Sequence, residues 1–100
     1  MIIYVDIDDT ICKLPPNSQD YNQATPIYDR IAKINDLYDR GNIIIYWTAR
    51  GTKTGEDWRK ITEAQFIKWI VKYHEIVFNK PVYDLFIDDK NINSEEYFNT

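Results

Sequence analysis

Two hydrophobic runs, each followed by polar residues, place the strongest constraint on how this chain folds. Residues 2–7 are apolar or aromatic apart from Asp6, and residues 43–47 are three isoleucines followed by two aromatic residues. Runs of β-branched and aromatic residues of this length are typical of strands that are covered on both faces. Further acidic residues follow the first run, and Thr48 follows the second. The sequence therefore predicts buried strands whose carboxyl ends carry polar side chains.

Helical patterns separate the predicted strands. Thr25 and Pro26 are the residue types of a helix N-cap and first turn, and apolar residues then recur at helical spacing until Gly41. Because glycine commonly ends a helix, this helix is predicted to stop at Gly41. The other predicted elements are a helix over residues 56–73, strands over residues 75–78 and 83–87, and a short helix near residues 94–98.

The alternation of strands and helices predicts an α/β fold. Strands joined by helical crossovers pair in parallel, and their helices cover both faces of the sheet. We therefore expect residues 1–100 to form a single domain, a three-layer α/β/α sandwich, because 100 residues support one hydrophobic core. In such sheets ligands bind outside the carboxyl ends of the strands. Residues 10–25, with two prolines and little periodicity, are predicted to form a surface flap over that edge.

Composition limits the partners and the compartment that we expect. The chain has 16 Asp and Glu against 12 Lys and Arg, and this net charge of -4 argues against binding to nucleic acid or to an anionic membrane. The apolar N-terminal run is too short and too acidic for a membrane span or a signal peptide. Cys12 is the single cysteine, so no internal disulfide is expected, and a cytoplasmic location fits best.

Asp6 and Asp8 form the first candidate site. Because they are two residues apart at the end of a strand, their side chains leave toward the same side. Two neighbouring carboxylates repel each other unless they share a proton or bind a cation. Near phosphate, such carboxylates more commonly bind Mg²⁺, which prefers oxygen ligands, than share a proton. The plainer alternative is an acidic turn that caps the strand.

Three further polar clusters lie at predicted strand ends. Thr48 and Ala49 follow the second strand, where a hydroxyl and backbone amides can bind phosphoryl oxygens, although a threonine here more often caps the following turn. Lys80 precedes a proline that stiffens its loop, although a surface lysine is usually only solvated. Asp88 and Asp89 follow the predicted fourth strand and either complete an oxygen-rich metal site or form an acidic turn.

These four clusters, in this order and each at a predicted strand end, resemble the four motifs of the haloacid dehalogenase superfamily. The resemblance covers almost the whole chain and begins with the Asp-x-Asp-x-Thr element of residues 6–10. Residues 46–51 and 83–90 make the chain similar to small phosphatases of capsular and other surface-polysaccharide biosynthesis. The resemblance implies a Rossmann-like fold with the strand order 3-2-1-4 and no large cap domain. Asp9 departs from the commonest pattern, in which a glycine often stands at this position.

The resemblance also implies a role for each cluster. Asp6 is expected to attack phosphorus and form an aspartyl-phosphate, while Asp8 moves the protons of the leaving group and of water. Mg²⁺ would be held by Asp6, the Asp8 backbone carbonyl and Asp89. Asp88 would ligate through water or orient the others. The phosphate-binding residues would be Thr48, Ala49 and Lys80.

The implied function is magnesium-dependent hydrolysis of a phosphorylated sugar or a related small metabolite. Only residues 10–25 and 51–57 are available to cover the site, so it should be open unless the flap or a second subunit of a homo-oligomer completes it. The candidates for contact with the leaving group are Thr10, Tyr21, Arg50, Lys53 and Arg59. Two alternatives use the same catalytic residues: phosphoryl transfer to an acceptor other than water, and a receiver-like signalling module that only accepts a phosphoryl group.

Overall fold

The computed structural model describes residues 1–99, which form five strands and three α-helices. In chain order they are β1 (Ile2–Val5), β2 (Cys12–Lys13), β3 (Thr25–Pro26), α1 (Tyr28–Asp39), β4 (Ile43–Trp47), α2 (Arg59–Lys68), β5 (Glu75–Val77) and α3 (Ser94–Phe98). A 3₁₀ turn, Tyr21–Gln23, lies between β2 and β3. The Cα radius of gyration is 13.2 Å, close to the roughly 13 Å expected for a compact chain of this length.

Three of the strands form a parallel sheet in the order β1-β4-β5. Ile2 of β1 lies opposite Ile43 of β4, and Ile45 of β4 lies opposite Glu75 of β5. The middle strand faces the core, where Ile44 is fully buried. The prediction of a small α/β fold with a parallel sheet is confirmed, and no cap domain is present among residues 1–99. The three-layer, Rossmann-like arrangement stays a prediction.

Helix α1 begins two residues later than the sequence predicted. Thr25 and Pro26 do not cap it, because they form β3 and pair antiparallel with β2 inside the flap. Part of the flap is therefore regular where irregular chain was expected. The helix ends at Asp39, and Gly41 follows with a φ of +96°, a left-handed conformation that favours glycine. The predicted end of the helix at this glycine is confirmed.

Helix α2 is shorter than the predicted span of residues 56–73. Just before its first turn, Asp57 Oδ1 accepts a hydrogen bond from the Arg59 N–H at 3.0 Å, so the helix begins after this polar turn. Beyond its last turn Ile70 takes a left-handed φ of +58°, which interrupts the helical backbone. The sequence predicted a longer helix because apolar residues continue beyond α2. Some of them are buried in the connection to β5 without being helical.

The predicted fourth strand is wrong. Residues 83–87 form no strand, and Leu85 and Ile87 are 76% and 87% exposed. A strand needs a hydrogen-bonded neighbour, and these residues do not pair with the free edge of β1. Residues 83–86 instead line a cavity of about 680 Å³ together with parts of β1, α1 and α3. The first three predicted strands, which are β1, β4 and β5, lie in the predicted order 3-2-1. The full order 3-2-1-4 is not confirmed, because the described residues contain no fourth strand beside β1.

Helix α3 confirms the short helix predicted near residues 94–98. Asn93 Oδ1 accepts a hydrogen bond from the Glu95 N–H at 2.8 Å and caps the first turn. The helix packs on α1, where Arg30 pairs with Glu95 at 2.9 Å and its guanidinium lies 4.9 Å from the centre of the Phe98 ring. None of the helices within residues 1–99 is long and apolar enough to cross a bilayer.

Candidate active site

A cleft of about 360 Å³ lies at the carboxyl ends of β1 and β4, the edge at which the sequence predicted a site. Parallel pairing brings Asp6 and Thr48, which follow these two strands, to the same edge of the sheet. The predicted site residues that line the cleft are Asp6, Asp8, Tyr21, Thr48, Ala49, Arg50 and Lys80. Residues that are far apart in the chain are therefore gathered in one place.

Asp6 lies between a cation and a hydroxyl group. Lys80 Nζ is 3.3 Å from Asp6 Oδ1, and the Thr10 hydroxyl donates to Asp6 Oδ2 at 3.3 Å. The backbone N–H of Lys80 donates to the Thr48 carbonyl at 3.1 Å, which holds the lysine beside the end of β4. Burial raises the pKa of Asp6 above its ordinary value, and the charge of Lys80 opposes that shift. Asp6 is thus a partly desolvated carboxyl group with one balancing cation.

Asp8 is held by Arg50 through two hydrogen bonds. Arg50 Nε donates to Asp8 Oδ2 at 3.0 Å, and Arg50 Nη2 donates to Asp8 Oδ1 at 2.9 Å. The Arg50 side chain is fully buried, whereas the Asp8 side chain keeps 23% of its surface exposed. The Cys12 thiol donates a weaker hydrogen bond to Asp8 Oδ1, with a distance of 3.4 Å from sulfur to oxygen. Arg50 is therefore committed to Asp8 and is not free to contact a leaving group as predicted.

Arg50 also ties α2 and the flap to this carboxylate. Its Nη1 donates to Thr62 Oγ1 at 3.0 Å and to Gln65 Oε1 at 2.6 Å. The Tyr21 ring lies over the guanidinium, with its centre 4.9 Å from Arg50 Cζ. Gln65 Nε2 in turn donates to the Tyr21 carbonyl at 2.6 Å. One buried cation thus joins three segments, and its hydrogen bonds are satisfied within the protein.

The Cys12 thiol is a protonated member of this network. It is completely buried, and burial raises its pKa far above the ordinary value, with the Asp8 charge raising it further. A thiol in this environment donates hydrogen bonds and does not act as a nucleophile. The sequence also gave no support for a cysteine nucleophile, because no histidine lies near Cys12 in the chain.

Thr48 caps a turn, which is the alternative that the sequence left open. Its Oγ1 accepts a hydrogen bond from the Arg50 N–H at 3.1 Å, and its own N–H donates to the Val77 carbonyl at 2.9 Å. The Thr48 amide is therefore used by the sheet, while its hydroxyl keeps a hydrogen for donation. Gly51 turns the chain with a φ of +83°, and a Cβ atom there would collide with the Glu56 carbonyl oxygen. The tight turn brings the cleft residues after β4 into place.

Three of the predicted leaving-group contacts, Thr10, Lys53 and Arg59, do not line the cleft. Lys53 is exposed in the loop between β4 and α2. Arg59 packs its guanidinium 4.6 Å from the centre of the Phe78 ring, on another part of the surface. A third candidate, Thr10, is buried and donates its hydroxyl to a carboxylate. Tyr21 is the predicted contact that lines the cleft without belonging to an ion pair in the described residues.

Asp88 and Asp89, the predicted metal ligands from the end of the chain, do not line the cleft. Both are exposed, and the Asp89 N–H donates to Asp88 Oδ1 at 2.8 Å. Because residues 83–87 do not join the sheet beside β1, the acidic pair that follows them is not brought to its carboxyl edge. Within residues 1–99 no group of three or more His, Cys, Asp or Glu is arranged to hold a metal ion. The predicted ligand set is therefore not assembled in this structure.

The buried pair of Arg50 and Asp8 was missed by sequence reasoning. The two residues are 42 positions apart, and no local pattern links them. Thr62 and Gln65 were also missed, because the apolar residues of α2 lie on more than one side and do not show which polar side chains turn inward. The available signal was an arginine close to the end of a buried strand, and Arg50 was interpreted as a contact for the substrate.

These features define a small α/β protein with a charged cleft at the carboxyl edge of a parallel sheet. Its fold is similar to the crystal structure of a structural-genomics target from Vibrio cholerae. The two chains share 27% sequence identity and a TM-score of 0.80, over 99% of this chain and 88% of the other. No protein-family model and no curated protein matches the chain. The likeness supports the α/β fold, and the cleft carries the evidence on function.

Proposed function

We propose that this protein is a phosphomonoester phosphatase in which Asp6 is the nucleophile and Mg²⁺ the cofactor. The observation that carries the proposal is the position of Asp6 at the end of β1, 3.3 Å from Lys80 and in one cleft with Asp8 and Thr48. A carboxylate nucleophile, a cation beside it and a second carboxylate are the groups that phosphoryl transfer through an aspartyl-phosphate needs. The resemblance to haloacid dehalogenase superfamily phosphatases supports the same assignment.

In the first step an Asp6 oxygen attacks phosphorus, and the bond from phosphorus to the leaving oxygen breaks. The leaving oxygen takes a proton from Asp8 and departs as an alcohol. Attack and departure are roughly in line, so the leaving group lies on the side of phosphorus away from Asp6. The Thr48 hydroxyl and the Ala49 backbone amide would donate to phosphoryl oxygens, and Lys80 would balance their charge.

In the second step Asp8 takes a proton from water, the water oxygen attacks phosphorus, and the bond to Asp6 breaks. Inorganic phosphate leaves, and Asp8 carries the proton that the next turnover needs. A carboxylate accepts about four hydrogen bonds, and three of these positions on Asp8 are taken by Arg50 and Cys12. Two of the three bonds fall on Oδ1, so Oδ2 is the oxygen with a position left for the proton.

Mg²⁺ would offset the charge of the phosphate dianion when it is bound. The cleft residues fit this hard cation in part, because Asp6 lines the cleft with a carboxylate. By the resemblance, the main-chain carbonyl of Asp8 would be a second ligand. Burial disfavours the charged form of Asp6, and a second cation would relieve that cost. Asp88 and Asp89 lie outside the cleft, so a ligand set that includes them requires residues 88–89 to approach it.

The proposed substrate is a phosphorylated sugar or related small metabolite of surface-polysaccharide biosynthesis, acted on in the cytoplasm. A cleft of about 360 Å³ lies at the small end of the range for small-molecule sites, which runs from about 300 to 1,000 Å³. The net charge of -4 disfavours nucleic acid as a substrate. Phosphoryl transfer to another acceptor and a receiver-like role remain the alternatives, and the same experiment separates them.

The test is the release of inorganic phosphate from sugar phosphates and an aryl phosphate, with Mg²⁺ and with a chelator. We expect turnover by the wild type with Mg²⁺ and a loss on the order of a thousandfold or more in Asp6→Asn. Asp36→Asn is the matched control, because Asp36 is exposed on α1, outside the cleft lining, and pairs with Arg40 at 2.9 Å. No release by folded, Mg²⁺-loaded wild type would reject the proposal. A stable phosphoryl group on Asp6 would favour the receiver-like role, and its passage to an added alcohol would favour the transferase.

A further inference from the structure

The cations that line the cleft are already paired with carboxylates. Arg50 is bound to Asp8 at 2.9 and 3.0 Å, and Lys80 lies 3.3 Å from Asp6. Among the described residues the cleft therefore carries two cationic and two acidic side chains. The basic residues that the sequence offered for the leaving group, Lys53 and Arg59, lie elsewhere. No side-chain cation of residues 1–99 is left at the cleft for a second anionic group of a substrate.

Apart from these charged residues, Thr48 and Ala49, the cleft is lined by an apolar and aromatic wall. The residues of this wall are Leu14, Tyr21, Pro81, Val82 and Tyr83. Two of them come from the flap, and the other three follow the lysine that pairs with Asp6. In the described part of the chain this wall carries no carboxylate, ammonium or guanidinium group.

Tyr21 is fixed on this wall by contacts within the protein. Its ring lies 4.9 Å from Arg50 Cζ, and the Trp58 ring meets it nearly edge to face at 4.9 Å between centres. Gln65 Nε2 donates to its carbonyl at 2.6 Å. Burial raises the pKa of the Tyr21 hydroxyl, and the Asp8 charge raises it further, so the side chain stays neutral. A neutral aromatic residue held in one position suits an uncharged ring.

We infer that the leaving group of the substrate is uncharged and lies against Tyr21 and Tyr83 with a ring or other apolar face. The inference rests on the proposed function, since the leaving group departs on the side of phosphorus away from Asp6. The wall is the part of the cleft that carries neither charged nor phosphate-binding side chains. The cleft selects against a second phosphate or carboxylate, because such an anion would lose its water without gaining a partner. Sugar monophosphates and aryl phosphates fit this description, whereas sugar bisphosphates and nucleoside diphosphates do not.

Two aryl phosphates of nearly the same shape test the inference. Para-carbamoylphenyl phosphate has a neutral leaving group, and para-carboxyphenyl phosphate has an anionic one. We expect the wild type with Mg²⁺ to hydrolyse the anionic compound with a kcat/KM at least about tenfold lower. The same direction is expected for a hexose bisphosphate against the corresponding monophosphate. Equal kcat/KM values for the aryl pair would overturn the inference while leaving the proposed function in place.

A cation added to the wall supplies the second arm of the test. Leu14→Arg places a guanidinium on the cleft, whereas Gln19→Arg adds the same charge to an exposed position of the flap that does not line it. We expect Leu14→Arg to reduce the preference for the neutral compound and Gln19→Arg to leave it unchanged. Val82→Arg repeats the test at a second position of the wall if the first variant does not fold.

The outcomes separate this inference from the proposed function. If Leu14→Arg or Val82→Arg weakens the preference for the neutral aryl phosphate and Gln19→Arg does not, the result supports an uncharged leaving group at this wall. If Gln19→Arg weakens this preference as much as Leu14→Arg does, the selection comes from the net charge of the protein, and the role of the wall is overturned. No phosphate release from either compound by folded wild type with Mg²⁺ would reject the phosphatase itself, and the inference with it.

Discussion

Arg50 donates two hydrogen bonds to Asp8, from Nε to Oδ2 at 3.0 Å and from Nη2 to Oδ1 at 2.9 Å. A bidentate pair of this kind fixes both the position and the plane of the carboxylate. The arginine side chain is fully buried and is also bound to Thr62 and Gln65, so Asp8 cannot turn away without leaving a buried cation unpaired. The orientation of one cleft carboxylate is therefore built into the packing of α2 on the end of β4.

Removal of the Arg50 guanidinium should destabilise the protein strongly. Arg50→Met keeps much of the side-chain volume but leaves Asp8 and Gln65 without their partner, and we expect a loss of about 3 kcal/mol in the free energy of unfolding. Urea unfolding followed by circular dichroism measures this change. Arg40→Met is the matched control, because Arg40 and Asp36 form an exposed pair at 2.9 Å that should contribute less than about 1 kcal/mol. Equal losses in the two variants would contradict a structural role for the buried pair.

Gly51 should tolerate a side chain less well than Gly41. Both glycines have positive φ angles, but a Cβ atom on Gly51 would meet the Glu56 carbonyl oxygen, whereas one on Gly41 would meet open space. Gly51→Ala should therefore lower the free energy of unfolding by about 3 kcal/mol, and Gly41→Ala by about 1 kcal/mol through backbone strain alone. Thermal and urea unfolding of the two variants measure the difference. A Gly51→Ala variant as stable as Gly41→Ala would show that the turn after β4 relaxes freely.

The sheet could be predicted where the pattern of one segment determined its structure. The apolar runs that became β1 and β4 identify buried strands, and parallel pairing then brings Asp6 and Thr48 to one edge. Residues 83–87 carry a similar pattern but form no strand, because pairing depends on a neighbour that the local sequence does not specify. Asp88 and Asp89 lie outside the cleft for the same reason, since their expected position was derived from that strand, and their role as metal ligands stays a prediction.

The residues of the cleft were predicted better than their contacts. Lys80 was expected to bind phosphate in the same site as Asp6, and the two side chains lie 3.3 Å apart. Arg50 was expected at the substrate, but its charge is satisfied by Asp8 from another segment of the chain. A motif shows which residue types gather at a strand end, whereas burial depends on the packing of α2 and the flap. The choice between an exposed and a buried arginine therefore required the tertiary structure.

The contact between α1 and α3 gives a prediction on pH. The pKa of Glu95 is lowered because its carboxylate accepts a hydrogen bond from Arg30 and faces its charge. This pair therefore stabilises the folded protein above the ordinary value of 4.5, and the contribution is lost as the pH falls through the lowered folded-state pKa. Arg30→Met should return the pKa of Glu95 toward 4.5, which NMR titration of the side-chain carboxyl carbon measures. Arg40→Met should not change it, and an unchanged pKa in Arg30→Met would contradict the assignment.

Lys80 links the geometry of the cleft to the proposed chemistry. Its Nζ is 3.3 Å from Asp6 and lies 5.8 and 5.5 Å from the centres of the Trp47 and Tyr83 rings. Lys80→Met keeps a long apolar side chain at this position but removes the charge, so we expect kcat to fall by a factor of about 100 to 1,000 while the fold is retained. The measurement is phosphate release with Mg²⁺, beside circular dichroism.

The matched control for this variant is Lys72→Met, which removes an exposed lysine paired with Asp39 at 2.7 Å and should leave kcat unchanged. Loss of the cation should also raise the pKa of Asp6 further, because the charge that opposes the effect of burial is gone. The activity of Lys80→Met should therefore recover in part at higher pH, where Asp6 is ionised even without the lysine charge beside it. If Lys80→Met kept full activity while Asp6→Asn lost it, Lys80 would serve only the fold, and phosphate binding would fall to Thr48 and Ala49.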